Sequence, residues 1–370
     1  MHTLHVISST DTGGAEIMLL KLLKCLRDQS PEQTHAILCL NSKGDLQSSL
    51  EEYTTNIWNL PPRRTLIDGP KIVSEIRQSS PHLLVGWMYR SLILTCLLRL
   101  FIKAKVIWTV RQSIHRLSDE PWATRMMIWG SKILSRFPDT IIYNSQEALA
   151  QHQKRGFAKC GVVIPNGFSS SQFYKSSEKR EQTRTSLSIP KEAYLIGVVA
   201  RYNPCKGHSD LIAAAHEILK AHPKAQFLFV GRGFSSPPAV LRGQIEALGL
   251  TNIFHFSGQV RDTREIYNAL DLLISPSLVE GFSNTIGEAL FCHVPTLCLD
   301  AGDSPFIVDD PLFVFPKENP PALAQAVKTL LTLDDTQRVE RLEKMFFRAQ
   351  RLFDIETVSK AYNNAFQGEK

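Results

Sequence analysis

Two carboxylates, Glu280 and Glu288, stand on either side of a small polar run, Ser283-Asn-Thr285. Upstream, Leu272-Leu-Ile-Ser-Pro-Ser277 is a short apolar run ended by a breaker, the pattern of a central parallel strand. Downstream, Ile286, Ala289, Leu290 and His293 recur at helical spacing until Pro295. Ser283, Asn284 and Thr285 therefore fall at a helix N-terminus, where unpaired backbone N–H groups and the helix dipole hold phosphate, or a diphosphate. Arg201 and Lys206 add two cations on one loop, Arg201-Tyr-Asn-Pro-Cys-Lys-Gly207, directly after another strand, Leu195 to Ala200. A local alternative is a capping box between Thr285 and Glu288. That reading leaves Glu280 without a task.

The elements that must position these groups alternate along the chain. Leu4 to Ser9 reads as a strand, Gly13-Gly14 as a turn, and Leu19, Leu20, Leu23 and Leu26 as one face of a helix. Gly13-Gly14 lacks the third glycine and the spacing of a dinucleotide fingerprint, yet permits close approach of backbone to a ligand. Further β-rich runs at Ala36–Leu40, Asn56–Leu60, Leu83–Met88, Val106–Val110, Ile141–Tyr143 and Val162–Ile164 alternate with helical patterns. This is the signature of a doubly wound parallel sheet with functional loops at the C-terminal strand ends. Val163-Ile-Pro-Asn-Gly167 ends the first half, and the polar stretch that follows reads as a linker. From Leu195 the alternation restarts, with strand-end loops Gly231-Arg-Gly233 and Gly258-Gln-Val260. With 370 residues, two domains are expected: residues 1–170, a linker at 171–188, a second domain at 189–352, and a final segment at 353–370.

Composition narrows the class. Apolar content of 43% and charged content of 21% are those of a globular protein. Seven cysteines with no Cys-x-x-Cys pair read as free thiols of a reducing cytoplasm. The N-terminal stretch reads as a strand rather than a signal peptide, and no apolar run reaches a membrane span. Cations exceed acids by eight in Met1–Lys175, whereas acids exceed cations by two in the remainder. Between Trp87 and Arg136, nine cations meet only Asp119 and Glu120, which implies an anionic surface or substrate for that half. The helix expected at Trp122–Phe137 mixes aromatic residues and cations. It either rests on a membrane surface or packs on the core with a basic outer face.

The Glu280–Glu288 stretch, Arg201 and Lys206, Pro165-Asn-Gly167 and the Gly13-Gly14 turn occur in the order found in retaining glycosyltransferases of the GT-B fold, family 4, which the chain resembles along nearly its whole length. The resemblance implies two Rossmann-like domains facing a cleft, with a last helix that crosses back to the first domain. It implies that Glu280 approaches the transferred sugar, that Glu288 holds the ribose hydroxyls, and that Arg201 and Lys206 neutralise the diphosphate beside Ser283, Asn284 and Thr285. Gly13, Gly14, Asn166, Gly231 and Val260 would border the nucleotide-sugar. The implied donor is a UDP-sugar in preference to a GDP- or ADP-sugar. The acceptor would be a glycan or lipid-linked glycan of bacterial surface polysaccharide, with an anionic membrane surface as a further partner and no nucleic acid. No metal or cofactor is expected, since Asp-x-Asp is missing and the His and Cys residues lack ligand spacing. A nucleotide-sugar epimerase and a catalytically silent sugar-nucleotide binder share the architecture.

The chain leaves the family's pattern after Val106–Val110. A histidine that reaches the donor sugar is expected there, but Arg111 and Gln112 follow, and the nearest histidine is His115. Arginine stays charged and only donates hydrogen bonds. Arg111 would thus contact a sugar hydroxyl, a carboxylate or an acceptor phosphate, with His115 on the acceptor side. The alternative is that Arg111 pairs with an acid on a neighbouring loop.

Overall fold

The computed structural model describes residues 1–260, 262–317 and 320–369. The chain forms two compact units, Met1–Gly167 with Ile355–Lys370, and Phe168–Asp354.

In the first unit seven parallel strands run in the order β3-β2-β1-β4-β5-β6-β7. They are β1 (His2–Ile7), β2 (Thr34–Cys39), β3 (Asn56–Asn59), β4 (Leu83–Trp87), β5 (Lys105–Val110), β6 (Thr140–Tyr143) and β7 (Gly161–Val163). Both faces are covered, so β1 is buried from Thr3 to Ile7. One face is capped by the helix Gly14–Gln29, whose Met18, Leu19, Leu22, Leu23 and Leu26 recur at helical spacing and are all buried. Each is worth roughly 2 kcal/mol against exposure. The helix Ile355–Gln367 joins the same core through Val358, Tyr362 and Phe366. A side chain at Gly167 would run into Ile355, so the glycine lets the returning chain pass close by.

A polar thread runs through this apolar layer. The Trp87 indole donates to His5 Nδ1 at 3.2 Å. Indole is only a donor, so the His5 proton sits on Nε2 and is given to His35 Nδ1, 3.2 Å away. Burial holds His5 well below the ordinary histidine range, and His35 at about 4. Elsewhere in the unit, His152 donates from Nδ1 to the Ala148 carbonyl and accepts at Nε2 from Tyr89, at 2.7 and 2.8 Å.

The second unit repeats the plan with six parallel strands in the order β10-β9-β8-β11-β12-β13. They are β8 (Tyr194–Val199), β9 (Ala225–Val230), β10 (Phe254–Ser257), β11 (Leu272–Ser275), β12 (Thr296–Leu299) and β13 (Val314–Phe315). The stretch expected as a linker, 171–188, is instead part of this unit and contains the helix Ser177–Ser186. Its polar composition misleads because the helix is held by charge. Arg180 and Arg184 meet the two oxygens of Asp271 at 2.5 and 3.1 Å, and Asp271 also accepts from Leu195 N at 2.7 Å. Asp271 thereby fixes the starts of β8 and β11. The unit begins at Phe168 and ends at Asp354, where Phe168 N donates to Phe353 O at 2.8 Å, so the chain enters and leaves side by side.

His35, His152 and His208 are each lowered by burial from 6.5 to about 4, while the unfolded chain binds protons near 6.5. Below that value the unfolded state gains protons first, so stability is full above pH 6.5 and falls as pH drops toward 4. The thermal midpoint should be flat from pH 8 to 7 and decline steadily by pH 5. A midpoint unchanged between pH 7.5 and 5 would contradict neutral burial of these rings.

Candidate active site

In a doubly wound sheet the crevice lies where the strand order reverses, beyond the C-terminal strand ends. In the second unit that point falls between β8 and β11. A cavity of about 270 Å³ is found there, lined by the β8 end with Arg201 and Lys206, the β11 end from Ile274 to Ser277, and Glu280, Phe282, Ser283, Asn284 and Thr285. Six of the residues singled out by sequence thus converge on one cavity.

The loops that carry them are tied together. Leu278 N donates to Cys205 O at 2.8 Å. Gly207 has φ +67°, and a Cβ there would overlap the Pro276 carbonyl. Gly231, at φ +142°, presses against the Ala200 carbonyl in the same way, so it backs the Arg201 loop rather than lining the cavity. The Glu280 backbone is gripped from β12's exit loop, where Gly302 packs on its carbonyl and Asp303 N donates to Gly281 O at 3.0 Å.

Lys206 Nζ lies 2.5 Å from Glu280 Oε1, both side chains being largely buried. The Arg201 guanidinium, by contrast, forms no ion pair among the described residues and is exposed. His208 begins the helix after Gly207 and packs among Tyr202, Phe229 and Phe234. Burial first, then the neighbouring Lys206 charge, pushes its imidazole down to about 4.

The helix opens at Asn284 with Ser283 as its cap residue, and the Ser283 hydroxyl makes no cap hydrogen bond. It meets the Thr285 hydroxyl at 3.1 Å instead. Thr285 lies inside the helix and is not its cap residue, the place the capping-box alternative gives it. Glu288 points elsewhere: its Oε2 accepts from Tyr267 at 2.8 Å and from Thr263 at 3.4 Å. Tyr267 is fully buried, and burial beside the Glu288 charge raises its phenol well above the usual range. Val260 follows β10 and packs against the core, away from the cavity.

Three contributors escaped the sequence reading. Tyr267 and Thr263 stand on a helix whose pattern gives no hint of a carboxylate partner. Phe168 wedges its ring against Gly287, where a Cβ would collide with it, and also packs near Phe282 and Phe291. Gly287 in the motif and the aromatic after Asn166-Gly167 are one contact, a signal visible only as two separate residues in sequence.

In the first unit, Gly13 caps the helix Gly14–Gln29 in extended conformation, with Glu16 folded over it. Burial raises the Glu16 carboxyl. Gly14 has open space where a Cβ would be, so sterics do not demand glycine there. Arg111 donates to the Tyr362 hydroxyl at 2.7 Å and to Asn166 Oδ1, with its guanidinium carbon 5.7 Å from the Trp87 ring centroid. Its partners are neutral, so the expected alternative of pairing with an acid is replaced. The nearby acid, Glu120, accepts from Gln112 at 2.6 Å. His115 is bonded through Nδ1 to Gln151 at 3.2 Å rather than joining the Arg111 group, and its Nε2 is buried without a hydrogen-bond partner among the described residues.

Comparison with known proteins places the chain in a family. A family model described as "Glycosyltransferase Family 4" matches residues 12–172, and one described as "Glycosyl transferases group 1" matches 193–333, between them most of the chain. The chain belongs to glycosyltransferase family 4. A D-inositol 3-phosphate glycosyltransferase of Corynebacterium jeikeium is 30% identical over 202 residues, 52% of this chain and 48% of its own. An alpha-monoglucosyldiacylglycerol synthase of Acholeplasma laidlawii is 29% identical over 141 residues, 37% of this chain and 35% of its own. The chain spans 48% to 61% of the length of the first curated relatives it matches. Among solved structures, Anabaena HepE in complex with UDP superposes with a TM-score of 0.83 at 22% identity, covering 100% of both chains. The fold is GT-B, with two Rossmann-like parallel-sheet units.

Among the described residues no group of His, Cys, Asp and Glu is arranged to hold a metal ion, and no helix is long and apolar enough to cross a membrane. The site's dependence on Gly207 is testable. Gly207→Ala must adopt a left-handed backbone, costing about 1–2 kcal/mol, and must also displace Pro276. Urea unfolding should show a loss of at least that size, with weakened nucleotide binding. An unchanged unfolding midpoint would mean that the two loops are not pressed together.

Proposed function

We propose that this family 4 protein is a retaining glycosyltransferase that moves a sugar from a UDP-sugar to a glycan or lipid-linked glycan acceptor in bacterial surface polysaccharide synthesis. The observation that carries the reading is the convergence of Arg201, Lys206, Glu280 and the helix start at Ser283–Thr285 on one crevice at the sheet's reversal point. Cleaving the bond between sugar and diphosphate leaves negative charge on phosphate and positive character on the sugar ring. Arg201, Lys206 and the helix-start amides meet the first, and Glu280 orients the second. Lys206 is paired with Glu280. A diphosphate would draw the ammonium to itself and release the carboxylate to the sugar hydroxyls, so one exchange readies both groups. Glu288, aimed by Tyr267, would accept from the ribose hydroxyls.

The UDP complex of HepE supports UDP as the nucleotide. The relatives named for inositol 3-phosphate and for a glucosyldiacylglycerol support acceptors that are phosphorylated or lipid-borne, in keeping with the cation excess of the first unit. An anionic membrane surface is part of the same reading. Arg111 and His115 are assigned to sugar or acceptor contact. Arg111 retains N–H groups beyond the two it gives to Tyr362 and Asn166, and His115 has a free ring nitrogen.

Incubation with UDP-sugars separates the classes that share this fold. Acceptor-dependent transfer with retained anomeric configuration supports the proposal, acceptor-free epimerisation assigns an epimerase, and binding without turnover assigns a silent binder. With phosphate charge met by protein groups, transfer should persist in chelator. Arg201→Ala and Lys206→Ala should each lower kcat by about 10² with the fold intact, because the charge they face grows in the transition state. Near-normal turnover in both would remove them from the mechanism. Arg111→Ala should reduce transfer far more than UDP binding, and His115→Ala should chiefly raise the acceptor KM. Unchanged transfer in Arg111→Ala would restrict that residue to anchoring Tyr362.

A further inference from the structure

The helix Trp122–Leu134 is apolar on two opposite sides. Ile128 and Ser131 are buried against the first unit. On the other side Trp122, Met126, Trp129 and Ile133 follow one another at intervals of four, three and four residues, so they form one straight stripe, and all are exposed. Trp122 is 75% exposed and Trp129 58%. Arg125, Lys132 and Arg136 flank the stripe, and no acid occurs from Pro121 to Phe137. Arg99 donates to Phe137 O at 2.7 Å, which brings the next turn to the end of this helix and with it Leu100 and Phe101, exposed by 76% and 62%. A single exposed tryptophan would be unremarkable. An ordered stripe with a second apolar turn at its end exceeds ordinary surface.

We propose that this outward face lies in the interface of an anionic lipid bilayer, with Trp122, Met126, Trp129 and Ile133 among the acyl-chain ends and Arg125, Lys132 and Arg136 on the headgroup phosphates. Tryptophan favours that boundary, and a helix with an apolar stripe and basic flank lies in its plane. Charge selects this occupant over a second copy of the chain. A twofold contact through the same stripe would set three cations against their equivalents, with no acid on the face to relieve them. The proposal deepens the acceptor reading above and rests on it only for why a lipid surface is useful to the enzyme.

Intrinsic fluorescence tests it on the intact protein. Trp58, Trp87 and Trp108 are buried, so among the five tryptophans only Trp122 and Trp129 can meet a lipid-borne quencher. Vesicles of phosphatidylcholine, with or without phosphatidylglycerol, carry bromine on the acyl chains. Quenching and co-sedimentation are expected with phosphatidylglycerol. Sedimentation should fall at least tenfold in a Trp122→Ser/Trp129→Ser variant that still binds UDP. Replacing Arg125, Lys132 and Arg136 by Gln should lower partitioning roughly a hundredfold, the fold-change given by about 1 kcal/mol per cation. Wild-type protein that neither sediments nor is quenched overturns the proposal. So does a double tryptophan variant that sediments as wild type does, or a solution dimer that this variant splits while vesicles are ignored. Vesicle binding is scored without nucleotide, so absent UDP binding in the wild type bears on the transfer reading alone.

Discussion

Parallel pairing of β8 with β11 is the constraint on which the site depends. Leu272 and Leu273 align with Ile196 and Gly197, bringing together two strand ends remote in sequence. On either side of that seam the connections wind in opposite directions, so their loops part and leave a crevice. Arg201, Lys206 and Glu280 are carried on those loops. Loops are ordinarily the soft part of a protein, and here the softness is removed by close backbone contacts at Gly207, Gly231 and Gly302 and by the Leu278–Cys205 hydrogen bond. The crevice is a gap at the point where the strand order reverses, edged by segments packed against one another.

Within it one cation is paired and another is open. A largely buried lysine or glutamate alone would carry a desolvation cost, which the contact between Lys206 and Glu280 offsets. Arg201, left open to solvent, differs in setting from Lys206, whose charge is already met by a carboxylate. In the first unit the equivalent strand ends are spent differently. Arg111 links β5, Asn166 and Tyr362, so a residue expected to face substrate also secures the last helix.

Much of this was legible in sequence because it rests on period and spacing. Alternating short apolar runs and helical stripes announce two parallel sheets, and Glu280, Ser283–Thr285, Arg201 and Lys206 lie where strand-end logic places a ligand. What was illegible depends on contacts between segments. The polar stretch at 171–188 looks unstructured until Asp271, far along the chain, is seen to hold its arginines. Tyr267 looks like any core aromatic until its hydroxyl is found on Glu288. Gly287 looks like a weak helix residue until the Phe168 ring is placed against it. Arg111 stands where a histidine is expected, a question of type, while its surroundings are set by a helix more than two hundred residues later.

The second unit is inserted into the first, since the chain leaves at Gly167 and returns at Ile355. Biosynthesis therefore reaches the two units in a nested order. Phe168–Asp354 is whole before the helix bearing Val358, Tyr362 and Phe366 has been made, and until then the first unit exposes the apolar layer those residues cover. A nascent chain thus carries one finished domain beside one that still lacks its lid. The half that emerges first from the ribosome is the last to mature.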